Sequence, residues 1–137
     1  MDAKQMVLAA IAFIAIAQVV HFLGAFIDMP YYFMPDYFSV WSKVMMPAAG
    51  PPPISFYITS VAFNFAAGLI FAWFFVKTKA VFKGAQFGLA LFAVSTVPGT
   101  LALYLTINLP VMLLVSWAVQ GLIVFTATGI AFSKIIK

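Results

Sequence analysis

The chain is predicted to be an all-α membrane protein: a four-transmembrane-helix bundle with a short interfacial amphipathic helix in its outer loop. Three observations predict this. First, 66% of the 137 residues are hydrophobic and 7% are charged, with a mean hydropathy of +1.14. A soluble domain carries about 25% charged residues, and seven basic and three acidic side chains cannot cover a globule of this size in water. Second, four apolar stretches each approach the ~20 residues that a helix needs to cross the ~30 Å of bilayer hydrocarbon. Third, a membrane strand would show alternating polarity over ~9–11 residues, and none of the stretches does. A helix satisfies its own backbone in lipid, which an open strand cannot.

Taken in order, the spans are expected at about residues 6–27, 54–76, 85–107 and 110–132 of one transmembrane domain. Lys4, the apolar run and Ala15-Ile16-Ala17 have the outline of a cleavable leader. The run continues to Ile27, however, which is too long for a leader's apolar core, so span one is expected to be retained. Span two lies between Pro53 and Lys77. Asn108-Leu109 is the only link between spans three and four, which predicts a tight antiparallel hairpin. Asn108 can cap span four, and Pro110 falls in its first turn, where a missing N–H costs nothing. No internal repeat stands out. Pro98 breaks span three without a counterpart in the first half, so an inverted-repeat transporter is not supported.

Lysine placement predicts the orientation. Lys4, Lys77, Lys79, Lys83, Lys134 and Lys137 fall on one side of four spans, and only Lys43 falls on the other, with Asp28 and Asp36. The positive-inside rule then makes both termini cytoplasmic, in a bacterial inner membrane. Lysines beside anionic lipid account for the +4 net charge, and no nucleic-acid partner is called for. The expected partners are membrane lipids and other membrane subunits or a second copy of the chain.

The outer loop is too aromatic to hang free. From Pro35 and Asp36 onward, Tyr37, Phe38, Trp41, Val44 and Met45 recur at helical spacing, with Asp36, Ser39 and Lys43 on the opposite face. This predicts a short helix lying flat at the interface with its rings at headgroup level, Tyr37, Phe38 and Trp41 foremost. The alternative is a lid over the mouth of the helices. Pro47, Pro51, Pro52 and Pro53 would stiffen the return into span two.

Polar residues inside the spans are the informative minority. Gln18 and His21 share one face of span one, continued outward by Gly24 and Asp28. Ser60, Asn64 and Gly68 line span two, Ser95, Thr96 and Pro98 sit in span three, and Gln120 lies beside Gly121 in span four. At 1.5 Å per residue His21 lies ~9 Å below the outer end of its span, and Asn64 and Gln120 ~15 Å below theirs. Gln18, His21, Asn64, Thr96 and Gln120 are therefore candidates for an intramembrane polar cluster. Asn64 and Gln120 are expected to face protein. Gly68, Gly84, Gly88, Gly99, Gly121 and Gly129 are expected to let helices approach closely, with the amides and hydroxyls as interhelical glue. Pro98 frees the carbonyl of Val94, which needs another partner.

His21 is the only histidine. A neutral ring bonded to Gln18 or to a neighbouring span is the structural reading. Proton relay and metal or haem ligation are the functional ones, since ionisable groups within a membrane usually serve a purpose. One histidine cannot build a transition-metal site alone, and without cysteine only a haem shared with a second chain remains open. No other cofactor is expected. Asp28 is expected at the outer edge, paired with Lys43 or solvated. No nucleophile, base and acid stand together, so catalysis by this chain alone is not expected.

Glutamate, arginine and cysteine are all absent. That separates the chain from small multidrug transporters, glutathione-linked membrane enzymes, fluoride channels and quinone-linked disulfide-forming proteins. Several features do coincide with another group. These are His21 late in span one, the aromatic loop with Trp41, and Lys83-Gly84-Ala85-Gln86-Phe87-Gly88-Leu89. Pro98, Tyr104, Pro110, Trp117, Gly121 and the Gly129-to-Lys134 ending follow. On these the chain resembles a group of uncharacterised small bacterial four-helix integral membrane proteins. The resemblance implies the architecture and no activity. The expected function is a non-catalytic accessory or assembly subunit of a larger inner-membrane complex. The alternative is a homo-oligomeric channel or transporter with a polar pathway at His21, Asn64 and Gln120.

Overall fold

A computed structural model describes residues 2–42, 45 and 52–137, and the side chain of Phe38 is not among what it describes. The described residues are helical, with no strand. Among the described residues, four helices are long and apolar enough to cross a membrane: α1 (Ala3–Tyr32), α2 (Ile54–Thr78), α3 (Ala85–Thr106) and α4 (Val111–Ile135). The Asp2 carboxylate caps α1 by accepting from the Lys4 backbone N–H at 2.9 Å. Span one ends later than expected. It runs past Pro30 to Tyr32, because Pro30 falls in the last turn, where one lost hydrogen bond is tolerated. Its 30 residues reach about 45 Å at 1.5 Å per residue, which is longer than the hydrocarbon alone requires.

The loop after α1 carries a short helix that starts at Pro35 and Asp36 as expected; it is a six-residue 3-10 helix, Pro35–Val40. Lys43, Val44, Pro47 and Pro51, which the expected helix and its proline-stiffened return invoked, lie outside the described residues.

α3 contains one π turn, Phe92–Thr96, just before Pro98. The Val97 N–H reaches back five residues to the Phe92 carbonyl. Proline lacks the N–H that would take the Val94 carbonyl, and a local widening of the helix is a usual response. Gly84 caps α3 at φ +51°, a left-handed conformation that favours glycine.

α1 packs against both α2 and α4, and α3 packs against α4 while its Phe87 reaches Phe75 of α2. The main apolar core sits toward the lysine-rich end. Phe75 of α2 meets Phe87 of α3 edge-on at 5.0 Å and Phe132 of α4 at 6.0 Å. Phe71 bridges Phe13 of α1 and Phe125 of α4 at 5.4 and 5.6 Å. Close backbone approach sets these distances. Gly68 lies against the Ala10 backbone, Gly88 against the Phe125 carbonyl, and Gly129 against Gly84 and Gly88, while Gly121 admits the Thr96 side chain. Small residues at these points let the backbones meet in direct van der Waals contact. Gly99 is a correction to the expected set: nothing lies within 4 Å of where its Cβ would be. Beyond the core, α3 buries no residue from Phe92 to Thr106.

Candidate functional site: a polar cluster between the first and last helices

The polar residues that meet across helices come from α1 and α4. His21, Gly24 and Asp28 recur at three- and four-residue spacing and so share one face of α1. Ser116, Trp117 and Gln120 face them from α4. Gly24 makes room, because any Cβ there would occupy the position of the Gln120 side-chain amide. Gln120 is 6% exposed and Asp28 2%.

The hydrogen bonds form one connected set. Gln120 Nε2 donates to Asp28 Oδ2 at 2.9 Å and to Ser116 Oγ at 3.0 Å. Trp117 Nε1 donates to the same Asp28 oxygen at 3.1 Å. These two acceptors orient the amide, so Gln120 Oε1 must point the other way, toward His21 Nδ1 at 2.9 Å. A carbonyl oxygen only accepts, so Nδ1 carries the proton and donates. Asp28 Oδ1 is buried and takes no bond among the described residues.

The end of the cluster farthest from the lysine-rich end is covered by the loop after α1. Trp41 Nε1 donates to the Tyr32 carbonyl at 3.1 Å, and its ring packs edge-on against Tyr32 at 5.2 Å and Trp117 at 6.3 Å. Trp41 is thus held against the ends of α1 and α4. Tyr37 is half-buried. An apolar groove of about 400 Å³ runs along the same α1–α4 seam, lined by Leu23, Ile27, Val115 and Val119, with Ser116 and Gln120 as its polar spots.

The expected cluster is only partly assembled. His21 and Gln120 meet directly, although the His21 ring is otherwise exposed rather than enclosed among helices. Asn64 does not join them. It is half-buried, and its amide donates to Ser60 Oγ, one turn away on its own helix, at 3.4 Å. Thr96 packs on Gly121, at the α3–α4 contact. Gln18 is half-buried one turn below His21. Asp28 is the residue that sequence reasoning placed wrongly. Expected in solvent or beside Lys43, it is buried at the centre of the set, and Lys43 lies outside the described residues. The signal was present in its spacing from His21 and Gly24. Ending the helix at Ile27 hid it.

The arrangement accepts and donates hydrogen bonds across one helix pair. Ser116 faces an amide and not the imidazole, so the cluster holds no activated nucleophile. Fold and site together define an all-helical protein with four helices able to span a membrane and a polar lock between the first and last. Compared with family models, curated proteins and solved structures, the chain matches none.

Proposed function

We propose that the chain is a non-catalytic integral subunit, accessory or assembly in role, of a larger complex in a bacterial inner membrane. In this reading the four helices are a transmembrane bundle with cytoplasmic termini. The observation that carries it is the division of labour among the side chains. The interhelical hydrogen bonds of the α1–α4 seam are spent inside the chain, while the outer halves of α2 and α3 expose large apolar groups, among them Ile58, Phe63, Leu101 and Leu105. Lipid or neighbouring helices would cover such faces. The alternative of a homo-oligomeric channel or transporter needs His21, Asn64 and Gln120 on one path, and Asn64 bonds within its own helix instead.

Purification of the tagged chain in mild detergent tests the reading. Larger membrane subunits should co-elute in fixed ratio. A symmetric assembly of this chain alone that conducts ions or solutes in liposomes would overturn it. Orientation is tested separately by reporter fusions. A fusion after Lys79 should report cytoplasm, and one at Asp36 the outer side. The reverse pattern would refute the lysine-based topology.

A further inference from the structure

We propose that the lysine-rich end of the protein binds anionic phospholipid headgroups, with the turn between α2 and α3 seated at the membrane interface. This rests on the reading of the four helices as a transmembrane bundle, and not on the identity of any larger complex. The fold brings lysines from two parts of the chain together. Lys77, Lys79 and Lys83 lie at and beyond the end of α2, and Lys134 and Lys137 at the end of α4. Lys79 Nζ donates to the main-chain oxygen of Lys137 at 2.9 Å. Gly84 lies beside Ser133, so Lys83 and Lys134 are each next in sequence to a residue of that contact.

This charge has little to offset it within the chain. The three acidic side chains are Asp2, Asp28 and Asp36. Asp28 bonds Gln120 and Trp117 at the other end of the molecule, and Asp36 lies in the 3-10 helix beyond it. Only Asp2 shares the lysine-rich end, and its carboxylate caps α1. Like charges grouped in this way attract anions from their surroundings.

Two features favour a lipid surface over a soluble polyanion. The first is the turn itself. Val81 is 73% exposed and Phe82 is exposed beside it, between Lys79 and Lys83. The N–H groups of both residues bond the Thr78 carbonyl, at 2.8 and 2.9 Å, which fixes the turn with these apolar groups outward. A soluble polyanion would leave them in water, whereas acyl chains beneath a layer of phosphates would take them. The second is Trp73, which is exposed one turn before Lys77, with the Lys77 Nζ 5.9 Å over its ring. An indole followed by a lysine is the side-chain order of a membrane interface. The ring sits at the apolar boundary, and the long lysine stem carries its ammonium out to the phosphates.

The test is tryptophan fluorescence of the full chain reconstituted in phosphatidylcholine vesicles. The same minor fraction of lipid is brominated in each sample, either as phosphatidylglycerol or as phosphatidylcholine. The brominated phosphatidylglycerol should quench about twofold more strongly, and the excess should shrink as salt is raised. Trp73→Phe should remove the excess, because Trp41 and Trp117 lie at the other end. Lys77→Gln, Lys79→Gln and Lys83→Gln combined should bring the two lipids level, with vesicle flotation and helical circular dichroism unchanged. Lys134→Gln with Lys137→Gln leaves the turn intact and should lower the excess part of the way. Equal quenching by the two lipids in the unaltered chain, or an excess that survives the lysine changes, would overturn the proposal. So would lysine-dependent capture of a labelled oligonucleotide by the same vesicles without any lipid preference. Absence of quenching by either lipid would overturn it together with the transmembrane reading, which the other outcomes leave standing.

Discussion

Gly88→Leu is expected to destabilise the protein more than any other single change at its helix contacts, by about 3 kcal/mol or more. The Gly88 α-carbon faces the Phe125 carbonyl and the Thr126 backbone of α4, so a side chain there meets main chain and not the far end of a flexible neighbour. Main chain within a helix cannot swing aside. α3 must move away from α4 as a body, and Gly129, which lies against Gly84 and Gly88, loses its contact as well. Gly99→Ala is the matched control on the same helix. With open space around that position, the change should stay within about 0.5 kcal/mol, or stabilise slightly through better helix propensity. Denaturant titration of the two variants in micelles decides it. Equal midpoints for both would mean that the close α3–α4 approach does not hold the fold.

Gln120→Leu should rank second, at about 2–3 kcal/mol, because the amide is the one group bonded to His21, Asp28 and Ser116 together. Leucine fills similar space but leaves the Asp28 carboxyl with Trp117 as its sole donor among the described residues, in a position only 2% exposed. His21→Gln should be milder, within about 1 kcal/mol, since that ring is largely exposed and a glutamine can still reach the amide. Asp28→Leu and Gln120→Leu should not be additive. Once the carboxyl is gone, the loss of its donor matters less, and a coupling of at least about 0.5 kcal/mol is expected. Strict additivity in a double-mutant cycle would show that the two side chains do not work as a pair.

Much of the site was legible before any coordinates, but in fragments. His21 and Gln120 stood out because polar groups are rare in apolar spans and need partners. What could not be read was which of the several candidates would meet. That depends on the vertical register and rotation of each helix, and neither is encoded in one span's pattern. Asn64 has the same depth and the same small-residue face as Gln120, yet α2 meets α1 near Ala10 and Gly68, well below His21, and Asn64 is left to bond Ser60. The glycines divide in the same way. Gly68, Gly88, Gly121 and Gly129 lie at contacts and Gly99 does not, although spacing alone ranked them together.

Composition and the pattern of apolar runs determined that the helices are apolar enough to span a membrane, how many there are and roughly where each lies. The physical reason is that span length answers to bilayer thickness and to the need for a self-satisfied backbone, both of which are local demands. Tertiary structure alone decided that Asp28 is buried and that Trp41 packs on Trp117. Each of these rests on a partner about 75–90 residues away in the chain. Trp117 and Gln120 together give the Asp28 carboxyl its donors, and no property of residues 21–41 by themselves could have announced that α4 would supply them.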